Sequence, residues 1–211
     1  MGNAAKPITV QVYDAGDLKD IQEKGRIRRE GTELPYYEGE GRFYFSPCDH
    51  SDRYTKKAAA CLVPILAGTA TNGSREQSTM AHLSMLMNVW PDLFREQFQD
   101  QLEQFKERTK PDTRTAVVVA GHVPPLAHEA RDDLLADYLN RLKMIQEEIA
   151  TALKIQTMVI AGPTRTPGSY LDVYYDTQKR VAGILVAQPG DFCFTESFLA
   201  SDAEKISQSW S

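Results

Sequence analysis

The sequence predicts a single α/β domain in which a mixed, mostly antiparallel set of strands packs with two long helices. Its 211 residues suit one domain. Hydrophobic residues make up 42% of the chain and charged residues 25%, which is ordinary for a globular protein and excludes a disordered or low-complexity chain. The predicted strands and helices do not alternate strictly, so a doubly wound parallel sheet is not expected.

The N-terminal half of the chain is predicted to consist of strands. Residues 7–13 alternate between apolar and polar side chains, which is the period of a half-buried strand. Residues 34–46 place aromatic side chains on both sides of a Gly-rich turn and predict a hairpin. Apolar runs at 58–66 and 79–87 flank the turn-rich residues 68–74 and predict two buried strands joined by a loop.

The C-terminal half combines helices with further strands. Apolar side chains recur at three- and four-residue steps in two segments, which predicts amphipathic helices at 91–110 and 130–153. Short runs rich in Val, Ile and Tyr predict strands, and the last two form a hairpin. These strands are expected at 115–120, 158–160, 170–175 and 181–186.

Charge and cysteine usage restrict the partners and the compartment. The net charge of −5 argues against nucleic-acid binding and favours a protein or small-molecule partner. Cys48, Cys61 and Cys193 are too widely and irregularly spaced for a disulfide framework or a zinc site, which favours a reducing compartment. No signal-peptide or membrane-spanning pattern is present, so we expect a cytoplasmic chain without membrane insertion, with export by a dedicated secretion system as the alternative.

Two residues outside the common catalytic motifs are candidates for nucleophilic chemistry. Cys61 follows two lysines and three alanines, where small side chains would admit a substrate and the lysines would favour the thiolate. His82 lies inside an apolar strand, and a strand-turn-strand connection would bring it back towards Cys61. The alternatives are a buried small side chain for Cys61 and a core histidine for His82. His122 and His128 have no third ligand nearby, so no metal site is predicted.

The segment from Gly41 to Leu62 resembles the start of the bacterial chemoreceptor glutamine deamidases (CheD). In that family a threonine lies six residues before the nucleophilic cysteine, as Thr55 lies before Cys61 here. The next strand of the family carries Ala-His-Phe, and this chain has Ala81-His82-Leu83. The family's order of elements corresponds to residues 41–187, which leaves 1–40 and 188–211 as N- and C-terminal extensions of one layered CheD-like domain.

This resemblance implies a cysteine-dependent protein glutamine deamidase that needs no metal or cofactor. Cys61 would be the nucleophile and His82 the base, while Thr55 would orient the imidazole or help bind the amide. The substrate would be a protein with an exposed glutamine. The pairing of cysteine and histidine also resembles the cytotoxic necrotizing factor toxins, which deamidate a glutamine on a host GTPase. Further residues expected to bind the substrate or its oxyanion are Ala60, Leu62, Ser78 and Thr79.

Three other functions use the same residues. A transglutaminase would form the same thioester and transfer it to an amine, and a cysteine peptidase would cut the backbone instead. A non-catalytic binding or regulatory module would keep the fold and leave Cys61 unreactive. The replacement of the family's Gly-Ser by Ala59-Ala60 before the cysteine favours this last alternative.

Overall fold

Two mixed β-sheets face each other, and two helices cover the other face of one of them. The computed structural model describes eight segments of the chain, and this architecture refers to them: residues 5–14, 32–34, 43–58, 61–83, 91–123, 132–164, 171–186 and 193–195. The predicted α/β class, with mixed, mostly antiparallel strands and two long helices, is confirmed.

The first sheet contains five of the described strands: β1 (Thr9–Asp14), β2 (Thr32–Leu34), β4 (Arg53–Ala58), β9 (Leu171–Asp176) and β10 (Val181–Val186). Their order across the sheet is β1-β10-β9-β4-β2. The two outer pairs, β1 with β10 and β2 with β4, are parallel, and the inner pairs are antiparallel. The predicted C-terminal hairpin is therefore β9 and β10, joined by the turn at 177–180.

The second sheet contains six of the described strands: β3 (Phe43–Phe45), β5 (Leu62–Thr69), β6 (Glu76–Leu83), β7 (Thr115–Val123), β8 (Thr157–Thr164) and β11 (Cys193–Thr195). Their order is β11-β8-β7-β5-β6-β3, and only β7 and β8 pair in parallel. The helices α1 (Pro91–Arg108) and α2 (Asp132–Leu153) pack on one face of this sheet.

Burial of both faces of the second sheet explains the nearly continuous apolar sequence of its central strands. In β5, Leu62 and Leu66 point to the helices, whereas Val63 and Ile65 point to the first sheet. Successive side chains of a strand alternate between faces, so one apolar run supplies two cores. One core lies between the sheets and the other between the second sheet and the helices.

The helices bury the stripes that their periodicity predicts. In α1 the stripe consists of Phe94, Phe98, Leu102 and Phe105, all at most 1% exposed. The α2 stripe is also buried and contains Tyr138, Leu142, Ile145, Ile149 and Leu153. These side chains cover β5, β7 and β8 and hold the second sheet in the middle of the three layers.

The structure corrects the prediction of a hairpin at 34–46. β2 pairs with β4 in the first sheet, whereas β3 pairs with β6 in the second, so these neighbours in sequence belong to different layers. The presumed extensions also contribute to the sheets, because β1 and β2 precede residue 41 and β11 follows residue 187. The helix expected after Ser201 lies outside the described residues.

Arg53 ties the start of β4 to the loop before it and to β6. Its side chain is fully buried, and Nε donates to Ser46 Oγ at 2.7 Å. Nη1 donates to Ser78 Oγ at 2.5 Å, and Nη2 donates to Asp49 Oδ1 and to the carbonyl of Pro47, each at 2.7 Å. Because the guanidinium has an acceptor on each nitrogen, its burial leaves no donor unsatisfied.

We expect Arg53→Met to lower the free energy of unfolding by about 3 kcal/mol, because it leaves Asp49 and several buried acceptors without their donor. Urea denaturation would measure the change. The control is Arg95→Met, which removes a half-exposed partner of Glu148 and should cost about 1 kcal/mol or less. Equal effects of the two substitutions would contradict the structural role given to Arg53.

Candidate active site

Thr55 and His82 meet in the layer between the two sheets. Thr55 lies on β4 of the first sheet and His82 on β6 of the second, and both side chains are at most 3% exposed. Thr55 Oγ1 lies 2.6 Å from His82 Nδ1, which is a hydrogen bond. The two sheets therefore contribute one side chain each to a buried polar contact inside an otherwise apolar core.

Cys61 lies on the same side of the second sheet as His82. It directly precedes β5 and belongs to the core between the sheets, with 8% of its surface exposed. The β5–β6 register pairs Leu62 with Leu83, which puts His82 opposite Val63. Cys61 and His82 are thus diagonal neighbours on one face, a relation that separates Cα atoms by about 7–8 Å and brings longer side chains within reach.

Burial keeps the imidazole of His82 neutral. Desolvation lowers the pKa of His82 to about 4, because the charged form loses its hydration in the core. At neutral pH the ring therefore has one N–H and one lone pair. If Nδ1 carries the hydrogen and donates to Thr55 Oγ1, Nε2 is the ring nitrogen that can accept a proton.

Cys48 and Cys61 differ in their surroundings, although neither forms a disulfide. Cys48 is 1% exposed and packs in the other core, towards the helices. Burial raises the pKa of the Cys48 thiol to about 11, so it stays protonated at neutral pH. Cys61 instead shares its layer with an imidazole. Cys193 lies on β11.

Lys56 does not supply the positive charge that the sequence suggested for Cys61. Thr55 faces the interior of the sandwich, and the next side chain along β4 faces solvent. The ammonium of Lys56 lies 5.3 Å from the centre of the Tyr54 ring, a cation–π contact on this outer side. The side chain of Lys57, the other lysine before Cys61, lies outside the described residues.

The residues expected to bind the substrate or its oxyanion do not form one group. Ser78 is fully buried and holds Arg53 and Thr177, at a position about 13 Å along β6 from His82. Thr79 points to the opposite face, where it donates to the Ser46 carbonyl at 3.0 Å and contacts the amide of Gln101. Both hydroxyls therefore serve the packing between layers.

The other two residues of this group lie beside Cys61 in the sequence. The side chain of Leu62 is fully buried against the helices, and its backbone is paired with β6 and β7. It therefore packs the core and cannot contact a substrate through its side chain. Ala60 lies outside the described residues.

Sequence reasoning missed two residues near the site. Tyr44 on β3 is the cross-strand partner of His82, and its buried hydroxyl has no hydrogen-bond partner among the described residues. Arg141 on α2 is 2% exposed; burial lowers the pKa of its guanidinium, and a negative charge at Cys61 would oppose that shift. Neither residue stands out in the sequence, because Tyr44 belongs to an aromatic run and Arg141 adjoins an apolar helical stripe.

The described segments contain no group of three or more His, Cys, Asp or Glu side chains that could hold a metal ion. His50 is exposed, and its Nε2 lies 3.4 Å from Arg75 Nη1. His122 lies on β7, and His128 falls outside the described residues.

Comparison with known proteins assigns no family: no family model and no curated protein matches the chain. Within the described residues, no helix is both long and apolar enough to cross a membrane.

We expect the buried imidazole to make stability depend on pH. The pKa of His82 is about 4 in the folded protein and about 6.5 in an unfolded chain, so the unfolded state binds more protons between these values. The neutral His82 ring makes its full contribution to the free energy of unfolding above pH 6.5. This contribution, about 3 kcal/mol, is lost as the pH falls to 4. Urea unfolding of wild type and His82→Gln from pH 4 to 7 would measure it.

The matched control is His50→Gln, which removes an exposed histidine. This variant should keep the wild-type pH dependence, whereas His82→Gln should flatten it. A parallel pH profile for wild type and His82→Gln would show that His82 is not held neutral by the fold.

Proposed function

We propose that the chain is a cysteine-dependent protein glutamine deamidase, in which Cys61 is the nucleophile, His82 the general base and Thr55 a positioning residue. The observation that carries the proposal is the 2.6 Å hydrogen bond between Thr55 Oγ1 and His82 Nδ1. It orients the imidazole from its far side, as a histidine base in a nucleophilic site requires. The resemblance to the CheD family assigns the same three residues to the reaction.

The proposed reaction begins with a proton transfer from Cys61 Sγ to His82 Nε2. The sulfur attacks the side-chain amide carbon of a glutamine, and the protonated imidazole gives its proton to the departing nitrogen, which leaves as ammonia. Water then hydrolyses the thioester, with His82 again as the base. The products are a glutamate side chain and the free thiol, so no cofactor is consumed.

The low pKa of His82 favours the second proton transfer of this cycle, to the leaving nitrogen, and makes the first, from the thiol, the harder step. A base with a pKa of about 4 holds a proton only briefly, so the imidazolium is a strong acid for the leaving nitrogen. The low pKa also means that His82 remains a neutral base across the physiological pH range. Cys48 and Cys61 form no disulfide, which suits action in a reducing compartment such as the cytoplasm.

Activity should depend on Cys61 and not on Cys48. With a library of glutamine-containing peptides as the probe, we expect wild type to release ammonia and to raise the mass of a peptide by about 1 Da per glutamine, which is the change from an amide to an acid. Cys61→Ala should reduce both signals to background because the thioester cannot form. Cys48→Ala is the matched control for loss of a buried thiol and should remain active.

The same mass spectra distinguish the competing functions. With methylamine present, a transglutaminase would add the amine to glutamine, and a peptidase would shorten the peptides. If glutamine-containing proteins as well as peptides remain unchanged, and Cys61 is alkylated no faster than Cys48, the chain is a binding module and the proposal is wrong.

Thr55→Val should impair the site while the layers stay packed, because valine has nearly the same shape and lacks the hydroxyl. We expect alkylation of Cys61 by iodoacetamide at pH 7 to slow about tenfold, and its pH profile to move upwards, since a misoriented imidazole accepts the thiol proton less well. Thr79→Val is the control, because it removes a buried hydroxyl on the helix side. Equal rates for the two variants would exclude a positioning role for Thr55.

A further inference from the structure

Tyr44 carries a hydroxyl that points into the protein and has no hydrogen-bond partner within the described segments. The hydroxyl oxygen is buried, although the residue as a whole is only half-buried. A tyrosine near a surface usually packs its ring inward and turns its hydroxyl to water. Tyr44 has the opposite orientation, and a buried donor that makes no hydrogen bond costs free energy. The position of this hydroxyl therefore needs an explanation.

Tyr44 lies beside the imidazole of the candidate site. It is the cross-strand partner of His82, and side chains directly opposite each other in an antiparallel pair point to the same face, with Cβ atoms about 5 Å apart. Tyr44 packs against the core between the sheets, whereas its neighbour Phe45 packs against the core on the helix side. Tyr44 thus shares its layer with His82 and Cys61.

The order of strands places His82 between Tyr44 and Cys61. β6 has β5 on one side and β3 on the other, so the cysteine lies just before one neighbouring strand and the tyrosine lies on the other. Strands two positions apart in a sheet are about 10 Å apart. This separation is long enough for both side chains and for one small group between them, such as a carboxamide.

The proposed reaction needs a hydrogen-bond donor that the expected residues do not provide. When the sulfur attacks the amide carbon, the S–C bond forms and an electron pair of the carbonyl moves to oxygen, where preorganised donors stabilise the negative charge. The hydroxyls of Ser78 and Thr79 are used in the packing between layers, and Leu62 packs an apolar side chain on the helix side. The Tyr44 hydroxyl is a donor that no described group uses.

A second tyrosine shows that burial of a hydroxyl in this layer is not enough for such a role. Tyr175 on β9 packs in the same core, and its hydroxyl also has no partner among the described residues. It is fully buried, and its cross-strand partner is Arg53. A substrate cannot reach this ring without opening the layers, whereas the half-buried ring of Tyr44 borders the surface. The two tyrosines therefore differ in access and in their neighbours.

We propose that the Tyr44 hydroxyl donates a hydrogen bond to the amide oxygen of the substrate glutamine and stabilises the oxyanion that forms when Cys61 attacks. This inference rests on the proposed function, because it assigns a further catalytic residue to the same reaction. The hydrogen bond strengthens as negative charge collects on the oxygen. The C–N bond then breaks and the carbonyl re-forms. The proton that leaves with ammonia comes from the Cys61 thiol through His82, so Tyr44 keeps its own hydrogen throughout.

The test is the steady-state kinetics of Tyr44→Phe, with the library peptide that wild type deamidates fastest as the probe. Loss of the donor should lower kcat and kcat/KM together by about 100-fold and leave KM unchanged, because the lost hydrogen bond is strongest in the transition state. Tyr175→Phe is the matched control, since it removes a buried hydroxyl from the same layer and should keep the wild-type kcat. A wild-type kcat for Tyr44→Phe would overturn the inference.

Alkylation of Cys61 separates this role from that of Thr55. Iodoacetamide reacts at a saturated carbon and forms no oxyanion, so its rate at pH 7 should be the same in Tyr44→Phe as in wild type. Thr55→Val should slow the same reaction, because it acts on the imidazole. If Tyr44→Phe slows alkylation as much as it slows deamidation, Tyr44 acts through His82 and not on the substrate, and the oxyanion role is wrong.

Stability separates the catalytic role of Tyr44 from a structural one. Removing a hydroxyl without a partner should leave the free energy of unfolding unchanged or raise it. A loss of about 1 kcal/mol or more in urea denaturation would show that the hydroxyl has a structural partner and would contradict the inference.

The outcomes also separate this inference from the proposed function. If wild type and Tyr44→Phe deamidate glutamine peptides equally well, only the role of Tyr44 is wrong. If wild type leaves glutamine peptides and proteins unchanged, both the oxyanion and the deamidase proposals fall.

Discussion

The hydrogen bond between Thr55 and His82 is a polar contact in a layer built from apolar side chains. The two sheets face each other in a way that lets this bond form. An imidazole with no partner in this layer would leave a buried polar group unsatisfied at a cost of several kcal/mol. Thr55 meets that need only if β4 stands opposite β6, so the contact depends on how the sheets face each other. The same burial that makes the bond necessary keeps the ring neutral and fit to accept a proton.

Two different buried polar contacts lie along β6, one at each end. At one end, Ser78 and the guanidinium of Arg53 join β4, β6 and the turn after β9 in a fully satisfied network. At the other end, His82 has its bond to Thr55. The first contact stabilises the fold, and the second holds the imidazole that the proposed reaction uses.

Much of this fold follows from local patterns in the sequence. The β5–β6 and β9–β10 hairpins and both helices were predicted because periodicity and turn residues act over short distances. The assignment of β2 and β3 to different sheets was not, because pairing partners far apart in the chain leave no local signal. β4 was also missed, since its interior side carries Arg53 and Thr55, polar residues that a hydrophobicity pattern assigns to the surface.

The residues of the candidate site were likewise predicted from the sequence only in part. Cys61 and His82 were singled out from the strand-turn-strand pattern, and Thr55 only through resemblance to a family. The burial of Arg141 could not be predicted, because its position on the helix differs by one residue from the apolar stripe and only packing shows that it is buried.

The most direct measurement of the central claim is nitrogen-15 NMR of the His82 ring. The account predicts a neutral ring at pH 6 to 7 with hydrogen on Nδ1, titrating near pH 4. Hydrogen on Nε2, or titration near 6.5, would contradict it.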